Sequence, residues 1–96
     1  MKIIWSKSAL NQLKKIENYI QQDSFSASEK VIKKIIFTIE KLIEFPEIFE
    51  IDRFKRNNDG TFRAFVVYKI RISYRVYHDS IYILRIRHSY RKPIKL

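Results

Sequence analysis

The stretch Ile70-Arg71-Ile72-Ser73-Tyr74-Arg75-Val76-Tyr77 alternates apolar and polar residues along its length. In a β-strand successive side chains point to opposite faces. Ile70, Ile72, Tyr74 and Val76 therefore share one face, and Arg71, Ser73, Arg75 and Tyr77 share the other. A strand with one apolar and one polar face fits an antiparallel sheet covered on one side only. Residues 62–68 and 81–87, rich in Phe, Val, Tyr and Ile, read as flanking strands. His78-Asp79-Ser80 connects the last two as a hairpin, and Ile3-Ile4-Trp5 adds a short β-prone opening, which makes about four strands.

Upstream of the sheet the period changes. Leu10, Leu13, Ile16 and Ile20 recur at helical spacing after Ser6 or Ser8, either of which can cap the helix. Asp23-Ser24-Phe25 interrupts the pattern. Ser26 with Glu29 three residues on then forms a capping box for a second helix, with a stripe of Ile32, Ile35, Ile36, Ile39, Leu42 and Ile43. Pro46 biases Phe45 away from helical geometry and marks the end. Two amphipathic helices with so short a connection pack as an antiparallel hairpin. Residues 47–60 lose all periodicity, and Asn57-Asn58-Asp59-Gly60 is a turn signal leading into the sheet. The expected architecture is α+β: an N-terminal strand and an antiparallel helical hairpin packed on a twisted antiparallel sheet of about four strands, in one domain spanning residues 1–96.

Charge is placed rather than spread. Residues 2–50 hold eight lysines against seven acids, whereas residues 51–96 hold twelve basic residues against Asp52, Asp59 and Asp79. All eight arginines lie in this second part. A guanidinium grips phosphate or carboxylate bidentately and stacks on aromatic rings, which an ammonium cannot do. The partner is therefore expected to be acidic, either nucleic acid or protein. Arg63 and Lys69 of the first long strand, Arg71 and Arg75 of the second, and Arg85 and Arg87 of the third are expected on the open face, with Arg91 and Lys92 beyond it. Like charges on neighbouring strands repel, so such clustering implies an anionic partner.

His88 adjoins this cluster, and an imidazole suits proton transfer near neutral pH. Strand alternation also sets it with Leu84 and Ile86 on the face expected to be buried, where a core role fits equally well. Tyr90 beside Arg91 and Lys92 has the chemistry to act on a phosphate or stack on a base. The chain has no cysteine, and its two histidines do not cluster, so neither a disulfide framework nor a metal site is expected. Its single glycine argues against a phosphate-cradling loop, and no cofactor is expected. The apolar start is too short for a signal peptide and no later run approaches a membrane span, which predicts a soluble, cytoplasmic protein without a membrane partner.

Several segments together resemble the RelE/ParE superfamily of bacterial toxins. They are Ser8-Ala9-Leu10 through Tyr19-Ile20, the ending Leu42-Ile43-Glu44-Phe45-Pro46, Arg63 with Val66-Val67-Tyr68, Arg71 to Val76, Ile81 to Ile86, and His88 with Arg91 and Pro93. The likeness covers almost the whole chain. It implies the toxin of a type II toxin-antitoxin pair, neutralised by a cognate antitoxin in a hetero-oligomer. The long hairpin and its Phe45-Pro46 ending look closer to the ParE-like branch, which implies DNA gyrase as the target. The alternative is a RelE-like, metal-independent endoribonuclease acting on messenger RNA in the ribosome. In that case Arg63, Arg71 or Arg75 would hold the phosphate, and His88 or Tyr90 would move protons. The lysine-rich catalytic set of some RelE-like enzymes has no clear counterpart here. A non-toxic nucleic-acid-binding module is a third reading of the same charge map.

Overall fold

The computed structural model describes residues 1–88, in the order β1 (Lys2–Trp5), α1 (Lys7–Gln21), α2 (Phe25–Lys41), β2 (Phe62–Val67), β3 (Ile70–Tyr77) and β4 (Ser80–His88). The sheet order is β1-β4-β3-β2. The last three strands form the expected antiparallel meander. β1 joins β4 in parallel, with Ile3 opposite Ile81 and Trp5 opposite Ile83, so the sheet is mixed. Parallel neighbours need a long crossover, and everything between β1 and β4 supplies it.

Ser6 couples β1 to α1. Its backbone N–H donates to the Ile83 carbonyl at 3.0 Å, continuing the ladder. Its Oγ accepts from the Ala9 N–H at 2.9 Å as the N-cap and donates to the Leu84 carbonyl at 3.1 Å. Of the two serines weighed as caps, Ser6 therefore serves. The inner stripe of α1 then begins one residue earlier than the spacing suggested. Ala9 is fully buried while Leu10 is 46% exposed. Leu13, Ile16 and Ile20 complete the stripe. Gln12 serves β4 where β1 no longer covers it: its Oε1 accepts from the Ile86 N–H at 2.7 Å.

The second helix is capped by Ser24, not by the expected Ser26. Ser24 has the extended backbone an N-cap requires, and its Oγ accepts from the Ala27 N–H at 3.1 Å. Ser26 instead shares a hydrogen bond with the Ser24 hydroxyl. The buried face of α2 is Ser28, Ile35, Thr38, Ile39 and Leu42, with Val31 packed against it. Ile43, expected in this stripe, is exposed. The helix stops at Lys41, ahead of Pro46, and gives way to turns.

Between the helices and the sheet lies a core built mainly of isoleucine, with Ile35 and Ile39 of α2 against Ile70, Ile72, Ile81, Ile83 and Ile86. A β-bulge makes the β4 contribution possible. Ser73 pairs with Arg85 and Tyr74 with Ile83, which leaves Leu84 as an extra residue. Without it, strict alternation could not bury both Ile83 and Ile86. Tyr74 is also fully buried, and its hydroxyl donates to the Pro46 carbonyl at 3.0 Å, tying the loop after α2 to the sheet. Phe49 stacks on Phe65 at 4.6 Å beside this tie.

Burial pushes the Tyr74 phenol up from its ordinary 10 to about 12, because the phenolate would lose its water. The neutral form is thus favoured in the native state, and stability present below pH 10 falls as pH rises toward about 12. Tyr74→Phe is expected to cost about 1 kcal/mol at neutral pH for the lost hydrogen bond. Denaturant titrations at neutral and alkaline pH should show a smaller alkaline loss for the variant than for the parent chain.

Candidate functional site

The register of β3 and β4 sets Arg71 opposite Arg87 and Ser73 opposite Arg85 on the face turned away from the helices. Arg75 shares this side of β3. The expected grouping of Arg71, Arg75, Arg85 and Arg87 is therefore present. The loop before β2 then folds over part of it and divides these cations into two kinds.

Arg71 and Arg75 are engaged by the loop. The Arg71 guanidinium forms an ion pair with Asp52 and lies 4.7 Å from the centroid of the Phe54 ring. Arg75 lies between Phe62 at 4.6 Å and Tyr77 at 3.9 Å, donates from Nε to Thr61 Oγ1 at 2.9 Å, and approaches Asp59 at 3.4 Å. Hydrogen bonds from Thr61, helped by Arg75, hold the Asp59 carboxyl below the usual carboxylate range. The loop keeps its shape through Asn58. Its side-chain amide donates to the Asp52 and Phe62 carbonyls, and its oxygen accepts from the Gly60 N–H at 2.8 Å. Gly60 has a φ of 94°, in the region that favours glycine.

Arg85 and Arg87 are exposed, and neither has an ion pair or hydrogen bond among the described residues. Together with Arg71, Phe54, Lys55 and Phe62 they border an open groove of about 580 Å³ that ends at His88. Lys55 sits 4.6 Å over the Phe62 ring on the loop side. A neighbouring hollow of about 530 Å³ shares Phe54 and Arg71, with Glu50 and Arg53 as further charged residues and the apolar Ile48, Ile51 and Val66 on its rim. Each of these three is about half exposed.

Other expected site residues lie elsewhere. Arg63 is not on the open face. It pairs with Tyr74 in the ladder and so shares the helix-facing side with Phe65, where its Nη1 donates to the Phe49 carbonyl at 2.6 Å. Its Nε is buried without a partner among the described residues. Lys69 occupies the β2–β3 turn, where it and Tyr68 both have positive φ, as a two-residue hairpin turn with matching twist requires. His88 lies opposite Ile70, and its ring meets Tyr19 of α1 edge-on at 5.9 Å. Tyr90, Arg91 and Lys92 lie outside the described residues. Asp52, Phe54, Lys55 and Phe62 were not anticipated as part of the site. The only sequence signal for them was the turn at residues 57–60, which announces a loop but not what it folds against. Among the described residues no cluster of His, Asp and Glu is arranged to hold a metal ion, and no helix is long and apolar enough to cross a membrane.

Comparison with known proteins adds what geometry alone does not. No curated protein matches the chain. Eleven chains of solved structures do. One, described as the chromosomal ParDE TA system from P. aeruginosa, superposes with a TM-score of 0.72 over 92% of this chain and 95% of its own, at 20% identity. That likeness shows a shared fold. The family model described as ParE toxin of type II toxin-antitoxin system, parDE, matches residues 3–93. With the helical hairpin and four-stranded sheet in place, this match makes the chain a member of the ParE toxin family of type II toxin-antitoxin systems.

Proposed function

We propose that the chain arrests growth by binding and inhibiting DNA gyrase, and that a cognate antitoxin carrying an acidic, amphipathic segment silences it. The observation that carries the choice of target is the dispersal of the groups a ribonuclease would bring together. His88 packs against Tyr19 on the helix side of the sheet, Arg63 serves the Phe49 carbonyl, and Arg75 is held by Thr61 and Asp59 on the opposite face. A general acid must come within hydrogen-bond reach of the atom it protonates while a cation neutralises the same phosphate. His88 does end the groove that Arg71 borders, but Arg71 is paired with Asp52 and the His88 ring meets Tyr19, so the set does not converge on one phosphate. A protein-binding inhibitor needs only surface, and the half-exposed Ile48, Ile51 and Val66 beside the cationic groove supply an apolar patch with a charged border. The net charge of +10 supports an acidic antitoxin.

The test is a supercoiling assay with purified gyrase and the full chain freed of its antitoxin, run beside induction of the chain in cells. Inhibition of supercoiling, with DNA breaks preceding any loss of transcripts in cells, is expected. His88→Ala and Tyr90→Phe should retain toxicity. Loss of toxicity in either variant with antitoxin binding intact, or transcript cleavage before DNA breaks, would transfer the chain to the ribonuclease reading. Unimpaired growth at confirmed expression would leave neither.

A further inference from the structure

We infer that the groove between the loop of residues 52–62 and the outer face of β4 binds a single strand of DNA, with Arg85 and Arg87 on successive phosphates and Phe54 against a base. The arginines of this face are unequally paired. Arg71 and Arg75 each face a carboxylate, Asp52 and Asp59 respectively. Arg85 and Arg87, on the same face, have none among the described residues. Arg87 also stands directly opposite Arg71 across the ladder, an arrangement that like charges disfavour. Asp52 relieves it from the Arg71 side only, so a bound anion would relieve the rest.

The spacing and the walls suit a polynucleotide. Arg85 and Arg87 are two residues apart on one strand, which puts their Cα atoms about 7 Å apart on one face. A row of cations repeated along a strand matches a ligand whose charges repeat along a chain. Phe54 is 74% exposed, and Arg71 accounts for one contact with its ring, leaving apolar surface on which a base can stack. Lys55 adds a cation on the loop side. A positively charged groove with an aromatic platform is the arrangement by which proteins bind single strands. At about 580 Å³ the groove has the size of a small-ligand pocket.

An acidic peptide is the weaker fit. Peptides gain affinity from apolar anchors or strand pairing, and the apolar residues Ile48, Ile51 and Val66 lie in the neighbouring hollow, beyond Phe54. The choice of DNA over RNA rests on the gyrase reading above, since gyrase works on DNA.

The test is fluorescence anisotropy with a short labelled oligo-dT strand and the full chain freed of its antitoxin, across a salt series. The Arg85→Ala/Arg87→Ala double variant is expected to bind about tenfold or more weakly, with the slope of log K against log salt shallower by about 1.4, from about 0.7 per lost phosphate contact. Phe54→Ala should bind about tenfold more weakly with an unchanged slope. Lys30→Ala/Lys33→Ala, on exposed positions of α2 behind the sheet, should bind like the parent chain. The inference is overturned if the lysine variant loses as much as the arginine variant, because the attraction is then only net charge. It is equally overturned if oligo-rU binds about tenfold more tightly than oligo-dT, or if a poly-glutamate peptide displaces oligo-dT at equal charge concentration. Supercoiling measured on the same preparations keeps the two readings apart. A chain that inhibits gyrase yet binds no oligo-dT sinks the groove alone, and one that binds oligo-dT through Arg85 and Arg87 without touching gyrase sinks the target alone.

Discussion

Ile35→Ala is expected to lower the unfolding free energy by about 2–5 kcal/mol, while Leu10→Ala changes it by less than about 0.5 kcal/mol. Both residues belong to apolar stripes evident in the sequence, and hydrophobicity alone would rank them together. Their surroundings differ. Ile35 is fully buried between α2 and the isoleucines of the sheet, so truncation removes apolar contact and leaves a cavity that rigid strands on one side cannot close. Leu10 is 46% exposed, so its truncation removes little that folding had taken from water. For a domain of this size 1 kcal/mol corresponds to about 4–8 °C, so the Ile35 variant should melt at least about 8 °C below the parent chain. A matched pair of thermal melts checks both halves. Equal losses at the two positions would mean that α1 is seated on Leu10, contrary to the packing of Ala9.

Why Ala9 and not Leu10 faces the sheet illustrates what a period can and cannot say. Helical spacing locates a stripe, but it does not choose between adjacent members at its edge. That choice belongs to the depth at which the helix sits. Here Ser6 settles it by joining β1 to the start of α1, with bonds to the Ile83 and Leu84 carbonyls. The same limit applies to the second helix. Ser24 and Ser26 are chemically equivalent caps, and the extended backbone at Ser24 decided between them.

The middle strand, by contrast, was legible to its ends at Ile70 and Tyr77, because two-residue alternation is a property of the strand itself. Arg63 was legible too, had Phe65 and Val67 been taken as the reference: residues two and four apart share a face, and Phe65 is buried. Charge led to the wrong side. The groove was only half visible. Arg71, Arg75, Arg85 and Arg87 fall together by alternation and register, whereas Asp52, Phe54 and Lys55 reach them through a loop whose path no local pattern encodes. The parallel pairing of β1 was hidden for a similar reason, since four residues carry no signal of direction.

Deleting Tyr82 is expected to abolish cooperative folding, whereas deleting Leu84 leaves a folded chain of reduced stability. The contrast follows from the bulge. Leu84 is the extra residue of β4, so its removal lets Ser73 pair with Arg85 and Tyr74 with Ile83 in an uninterrupted ladder. Ile81, Ile83 and Ile86 then still face the core in strict alternation, and Arg85 and Arg87 still face out. What is lost is the Leu84 carbonyl that accepts from Ser6, a cost of about 1 kcal/mol. Removing Tyr82 instead shifts one side of the strand by one position. Either Ile81 turns outward or the Ile83 end does, and β1, which is registered on residues 80–83, loses its partner or its facing. A fully buried isoleucine is worth about 1.5–3 kcal/mol by transfer alone, and the broken ladder with β1 adds to it. Small domains have only about 5–15 kcal/mol in all. Circular dichroism melts of the two deletions decide the matter. A Leu84 deletion as unfolded as the Tyr82 deletion would mean that the bulge is needed for more than facing, with the Ser6 junction as the next place to look.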